Sequence, residues 1–184
     1  MLALSIVCLA WMHRTVMKMA QLPFGFETKF VGLVQGGSNL LTPLMTWSDE
    51  FSVGIEEIDR QHKHLMRLIS DINEVVRKGG NYEEFAPILN QLIDYTNTHF
   101  SHEENLLKKN HCPNFEKHQK AHVHLVKELL DWKKKAESSK DEKLNQLMIL
   151  LRIWFPGHIL ETDKRDAPYL NIRHEEVPTG VQVI

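Results

Sequence analysis

Histidine and carboxylate residues recur at helical spacing within this 184-residue chain. The segment HFSHEE places His99 four residues before Glu103, and the segment HQKAH places His118 four residues before His122. Residues four apart lie on the same face of an α-helix. Imidazole nitrogen and carboxylate oxygen are ligands for transition-metal ions, whereas no thiolate cluster accompanies them here. The candidate chemistry is therefore metal binding, provided that these helix faces are buried.

The elements that would position these side chains are helices. From residue 55 onward, apolar residues step by three and four through four segments, which is typical of a packed helical bundle. Breaks rich in Gly, Pro, Asn and Ser separate the segments at 78–81, 110–114 and 137–141. This pattern predicts an all-α fold, an antiparallel up-down-up-down four-helix bundle. In the second segment the apolar stripe includes Leu92, Thr96, His99, Glu103 and Leu106.

Several polar residues share the apolar stripes, and every helix contributes at least one of them. A single histidine on such a stripe is normally a core residue with one hydrogen bond, and a single glutamate is often a rim residue. The combination is different, because each uncompensated buried charge costs several kcal/mol against a net stability of about 5–15 kcal/mol. A metal centre is the simplest compensation. These stripe residues are His62, His99, Glu103, His118, His122 and His158.

One further carboxylate follows the last of these histidines at an unusual spacing. Asp163 lies five residues after His158, which turns it off the shared face of an ideal α-helix. Both can reach one site only if the helix widens or unwinds near its end. Considered alone, Asp163 is interpreted as a helix-end residue.

The chain resembles the hemerythrin family, specifically the bacterial single-domain hemerythrins, over about residues 44–172. The resemblance is carried by WSDEFSVGIEEIDRQH (47–62), HFSHEE (99–104), HCPNFEKHQKAH (111–122) and WFPGHILETDKRDAPYLN (154–171). It implies a non-haem di-iron centre, with Fe²⁺ or Fe³⁺ ions and an oxo or hydroxo bridge. The implied ligands are His118, His122 and His158 on one iron, His62 and His99 on the other, and Glu103 and Asp163 as bridges. The implied O₂ pocket is lined by Leu65, Phe100, Trp154, Phe155 and Ile159.

The implied ligand set leads to an expected function. Five histidines, two bridging carboxylates and one bridging oxygen fill eleven of the twelve positions of two six-coordinate ions, so one position stays open on the two-histidine iron. The site is richer in nitrogen than the four-glutamate, two-histidine sites of related di-iron enzymes. We therefore expect reversible O₂ binding for transport, storage or supply, rather than catalysis, with O₂ and a protein that receives it as partners. The alternatives are an O₂ or redox sensor module, a di-iron enzyme that handles peroxide or NO, and iron sequestration.

Charge, hydropathy and cysteine content limit the possible partners and the cellular location. A net charge of −2 without a basic block argues against nucleic acid as a partner. No apolar run reaches the length of a membrane span, and two isolated cysteines fit a reducing, cytoplasmic setting.

Residues 1–43 are interpreted as a disordered N-terminal extension or as the product of a mis-assigned start, with Met45 as the natural start, and residues 173–184 as a flexible tail. Pro156 and Gly157 predict a kink directly before His158. Five other histidines are expected to be solvated or in loops: His64, His102, His111, His124 and His174.

Overall fold

The computed structural model describes residues 46–136 and 142–171, and this part of the chain contains helices without strands. The four main helices are α1 (Glu56–Arg77), α2 (Tyr82–Lys109), α3 (Phe115–Ala136) and α4 (Glu142–Gly157). A 3₁₀ turn (Asp49–Phe51) precedes α1, and α4 leads into a π-helical segment (His158–Asp163) followed by α5 (Lys164–Leu170). The predictions for residues 1–43, 137–141 and 173–184 lie outside the described residues.

The helices form the predicted antiparallel bundle. Helix α1 packs against α2 and α4, and α3 packs against the same two helices, so neighbours in sequence are neighbours in space. The connections at 78–81 and 110–114 are too short to return along a helix, which makes the helices that they join antiparallel. Within the described residues, none of the helices combines the length and the apolar character that a membrane span requires.

Local sequence explains where α1 ends and α2 begins. Gly79 has a φ of +76°, a left-handed conformation that glycine adopts without a Cβ penalty and that commonly ends a helix. Asn81 then caps α2, since its side chain accepts a hydrogen bond from the backbone N–H of Glu84, and the Glu84 side chain accepts one from the Asn81 N–H. This reciprocal capping satisfies two N–H groups that have no partner inside the helix.

Most positions of the predicted stripes form the core, whereas Ile55, Val76, Leu106 and Phe115 are only partly buried. Leu107 is fully buried, whereas the predicted Leu106 is only partly buried. Leu107 packs with Cys112 and Leu170. Because α5 covers this end of the bundle, the buried face of α2 turns by one residue there. The core side chains with at most 2% exposure include Ile58, Leu65, Ile69, Ile72, Phe85, Leu89, Leu92, Leu125, Leu129, Leu147 and Leu151.

The predicted widening of the last helix is present. Helix α4 continues through Pro156 and Gly157, and the six residues from His158 to Asp163 form a π-helix. At its end the N–H of Lys164 donates to the carbonyl of Ile159, five residues earlier. Since π-helical bonds join residues five apart, this segment carries Asp163 back toward the face of His158.

The cap of α2 can be tested by mutation. Asn81→Ala removes the capping oxygen and is expected to lower the free energy of unfolding by about 1 kcal/mol. Urea denaturation at matched metal content measures the change. Asn90→Ala, at an exposed position inside the same helix, is the control and should leave the midpoint unchanged or slightly raised. Equal midpoints for Asn81→Ala and the unmutated protein would contradict the capping role.

Candidate metal centre

All the predicted ligands lie together in the middle of the bundle. Each has at most 6% of its surface exposed. Helix α1 contributes one residue, α2 and α3 contribute two each, and the π-helical segment contributes two. In that order they are His62, then His99 and Glu103, then His118 and His122, then His158 and Asp163.

Three imidazoles converge on one point. The Nε2 atom of His122 lies 3.1 Å from Nε2 of His118 and 2.9 Å from Nε2 of His158. Two donors that bind one ion at right angles, each roughly 2.1 Å from it, are roughly 3 Å apart. These spacings therefore match three cis ligands of a single metal ion.

Two carboxylates lie between this group of three histidines and the remaining two histidines. The first of them is Asp163. Oδ1 of Asp163 lies 3.0 Å from Nε2 of His158 and 3.4 Å from Nε2 of His118, whereas Oδ2 lies 3.3 Å from Nε2 of His62. The two oxygens of one carboxylate thus face the two histidine groups.

Glu103 lies between the same two groups. Its Oε2 is 3.5 Å from Nε2 of His122 and 3.5 Å from Nε2 of His99, and its Oε1 is 3.8 Å from Nε2 of His62. Two sets of potential ligands can be distinguished, and Glu103 belongs to both. They are Glu103, His118, His122, His158 and Asp163, and His62, His99 and Glu103.

The hydrogen bonding of these groups fits a pair of cations. Both oxygens of Glu103, both oxygens of Asp163 and both ring nitrogens of His62 are buried without a hydrogen-bond partner among the described residues. Buried polar atoms are normally hydrogen-bonded, and an unsatisfied charged group is especially costly. Metal ions would accept electron pairs from the four carboxylate oxygens and from Nε2 of His62, so the residues present fit a di-metal centre of nitrogen and oxygen ligands.

The protein groups alone also set protonation states that suit metal ligands. Burial lowers the pKa of His99 to about 4 and, together with the neighbouring His158, lowers the pKa of His122 well below its ordinary value. Burial would raise the pKa of Asp163, but the charges and hydrogen bonds of His158 and His62 together outweigh burial and hold this pKa well below its usual range. Neutral imidazoles and an ionised carboxylate are the forms that bind metal.

His118, like His62, differs from His99 and His122, because neighbouring carboxylates raise its pKa. Burial opposes its protonation, yet the hydrogen bond to Asp166 and the nearby Glu103 outweigh burial and raise the pKa of His118 to about 9. A metal ion that binds at Nε2 would displace this proton, so metal binding would release it to solvent.

Three residues that were not predicted from the sequence accept hydrogen bonds from the Nδ1 atoms of the histidines. The Nδ1–H of His99 donates to Oε1 of Gln61 (2.9 Å), that of His118 to Oδ2 of Asp166 (3.0 Å), and that of His122 to Oε1 of Glu104 (3.0 Å). Such bonds fix the ring orientation and leave Nε2 free to bind metal. The signal in the sequence is weak: Gln61 directly precedes one predicted ligand, Glu104 directly follows another, and Asp166 lies three residues after a third.

The predicted pocket residues are all buried, but they lie in different places. Phe100 stacks on His122 with ring centroids 3.5 Å apart and planes 2° apart, and Trp154 stacks on His158 at 4.3 Å. Both rings therefore lie against the three-histidine group. Phe155 instead meets His62 edge to face at 6.0 Å. Leu65 and Ile159 are buried core residues, 1% and 0% exposed.

Of the other histidines within the described residues, two are exposed as expected and two are half-buried within helices. His111 and His124 are exposed, His64 is half-buried with its ring against Tyr95, and His174 lies outside the described residues. His102 was expected to be solvated but is half-buried, and its Nδ1 lies 2.9 Å from Nε2 of Gln61. It belongs to the polar network behind His99 because α1 packs against this face of α2.

The fold and the site define a class: a four-helix bundle with a buried histidine and carboxylate cluster suited to two metal ions. A family model described as "Hemerythrin HHE cation binding domain" matches residues 53–170. The chain belongs to the hemerythrin family.

Individual relatives agree with this assignment. The chain is 31% identical over 129 residues to the bacteriohemerythrin of Methylococcus capsulatus, covering 70% of this chain and 98% of the relative. It is 28% identical over 131 residues to that of Pseudomonas aeruginosa, covering 71% and 82%. Among solved structures, a wild-type hemerythrin crystal structure superposes with a TM-score of 0.64 at 30% identity, covering 70% of this chain and 98% of that one.

Removing one of the converging imidazoles should impair metal loading. His118→Ala is expected to bring the iron content of reconstituted protein below two ions per chain. The affinity loss should exceed the roughly 10–100-fold typical of changes to a residue behind a ligand. Iron quantification after desalting gives the stoichiometry. His124→Ala, an exposed histidine on the same helix, is the matched control. Two retained irons in His118→Ala would rule out His118 as a required ligand.

Proposed function

We propose that the protein binds O₂ reversibly at a non-haem di-iron centre and serves as an oxygen carrier, store or supplier. The observation that carries the proposal is the unequal histidine content of the two donor sets, three imidazoles against two, with Asp163 and Glu103 facing both. If these residues held two iron ions with an oxo or hydroxo bridge, one coordination position would stay open on the two-histidine side. Two iron ions held by these residues would supply reversible electron transfer to O₂.

The chain's own residues would hold and orient the two ions. His118, His122 and His158 would bind one, His62 and His99 the other, and the two carboxylates would bridge them. Hydrogen bonds from Nδ1 and the stacked rings of Phe100 and Trp154 hold the three-histidine group in place. This rigid half supports a role in which the ligands stay fixed while O₂ enters and leaves.

The open half would have an apolar surrounding. Phe155 lies against His62, Leu65 is buried one helical turn after His62, and Ile159 is buried in the π-helical segment that ends at Asp163, whose Oδ2 faces His62. We propose these three residues as the O₂ pocket, with Phe100 and Trp154 as supports of the histidine rings. An apolar pocket excludes the water that would supply protons and release reduced oxygen. Exclusion of protons favours binding over turnover.

The proposal is tested by a spectroscopic cycle. Protein loaded anaerobically with two ferrous ions per chain is expected to be colourless, to develop a visible absorption band with O₂, and to lose the band on purging with argon. Repetition of the cycle without loss of amplitude supports reversible binding. Irreversible conversion to a ferric spectrum, or rapid consumption of added peroxide or NO, would replace the proposal with the sensor or enzyme alternatives.

The apolar character of the pocket can be separated from its size. Leu and Asn side chains have nearly the same shape but differ in polarity, so Phe155→Leu and Phe155→Asn form a matched pair. We expect the oxygenated form of Phe155→Asn to decay about tenfold faster than that of Phe155→Leu, which corresponds to about 1.4 kcal/mol of barrier. The visible band in air-equilibrated buffer measures both lifetimes. Equal lifetimes would show that polarity at this position does not control oxidation.

A further inference from the structure

The two halves of the candidate metal centre differ in the hydrogen-bond partners of their histidine Nδ1 atoms. On the three-histidine side, His122 donates from Nδ1 to the carboxylate of Glu104, and His118 donates from Nδ1 to the carboxylate of Asp166. Both acceptors carry negative charge. Two of the three imidazoles on this side therefore have an anionic partner.

The two-histidine side has a neutral partner instead. His99 donates from Nδ1 to Oε1 of Gln61, and the other end of this amide, Nε2, lies 2.7 Å from a carboxylate oxygen of Glu57. A carboxylate oxygen accepts hydrogen bonds, so the NH₂ group must face Glu57 and the carbonyl oxygen must face His99. Among the residues that the structure describes, Nδ1 of His62 has no hydrogen-bond partner.

Of the two carboxylates, Glu104 provides the clearer electrostatic contrast with the neutral amide of Gln61. The charge of Asp166 is offset by Arg165, whose guanidinium lies 2.7 Å away, and Asn114 also donates to this carboxylate. Among the residues that the structure describes, Glu104 accepts hydrogen bonds from neutral groups, the amide of Gln119 (2.8 Å) and the ring of His122 (3.0 Å). It lies in a surface groove of about 400 Å³ between α2 and α3, whose lining also includes Phe100 and His122.

A carboxylate behind a metal-bound imidazole makes that imidazole a stronger donor, and a stronger donor favours the more highly charged metal ion. We propose that Glu104 and Gln61 make the two iron positions electronically unequal, so that the three-histidine position is oxidised first. Both are positioning residues that act through His122 and His99. The inference rests on the di-iron function proposed above. It assigns the remaining ferrous ion of a half-oxidised centre to the two-histidine side, beside Phe155.

The near-isosteric substitutions Glu104→Gln, which removes a negative charge, and Gln61→Glu, which adds one, test this assignment. Each variant is loaded with two ⁵⁷Fe²⁺ ions per chain, and one equivalent of ferricyanide removes one electron from each pair and becomes ferrocyanide. Mössbauer spectra of the product then separate one ferric from one ferrous signal. We expect Glu104→Gln to change the ferric signal and Gln61→Glu to change the ferrous signal.

Redox titration gives an independent readout. Glu104→Gln should weaken the ferric preference of the three-histidine position about tenfold, which raises the first midpoint potential by about 59 mV for a one-electron couple. Gln61→Glu should reduce the gap between the two midpoints. Glu104→Asp keeps the charge and should restore the potential toward its original value. Glu83→Gln, an exposed site in the first turn of α2, is the matched charge control and should change neither readout.

The outcomes separate this inference from the function on which it rests. Protein that fails to take up two irons overturns both. Two irons with a ferric signal that responds to Gln61→Glu, or with potentials that respond to neither swap, overturn the electronic inequality while leaving the di-iron function intact. If Glu104→Gln alone loses iron, the Gln61→Glu shift decides the question.

Discussion

The structure depends on the burial of two carboxylates and five imidazoles in the middle of a helical bundle. Removal of charged groups from water costs several kcal/mol for each, and six of the polar atoms here find no hydrogen bond among the described residues. Helices α1, α2 and α3 and the π-helical segment each contribute at least one candidate ligand. A bound ion would therefore link elements that are distant in sequence, and its binding energy would contribute directly to the stability of the fold.

Helical geometry explains most of this convergence, and the last helix requires a departure from it. Spacing of four brings His99 beside Glu103 and His118 beside His122 on ordinary α-helices. The spacing of five between His158 and Asp163 is met by the π-helical segment. Once α5 resumes α-helical geometry, Asp166 follows Asp163 by three residues and reaches Nδ1 of His118 from the other side of the ring. One local widening thus positions a candidate ligand and the partner of another ligand.

This geometry also determines what could be predicted from the sequence. The bundle and the buried polar stripe follow from the 3-4 periodicity, because a helix buries one face. The spacing of Asp163 required a widened helix, and its role as a candidate ligand came from the family resemblance. Gln61 and Glu104 escaped prediction because a residue next to a ligand in sequence points about 100° away from it on a helix. Their targets, His99 and His122, lie on other helices, so only tertiary packing brings the pairs together.

The histidine rings of the two halves also differ in their stacking and hydrogen-bond contacts. On the three-histidine side, His122 is fixed by a stacked Phe100 and by the carboxylate of Glu104, and His158 is stacked on Trp154. On the other side, His62 lacks a hydrogen-bond partner among the described residues and meets Phe155 only edge to face. Aromatic stacking and charge-assisted hydrogen bonds both orient a ring, so His122 has stronger contacts than His62. The candidate centre therefore combines one half with stacked rings and anionic partners and another half in which His99 has a neutral partner and His62 lies beside an apolar ring.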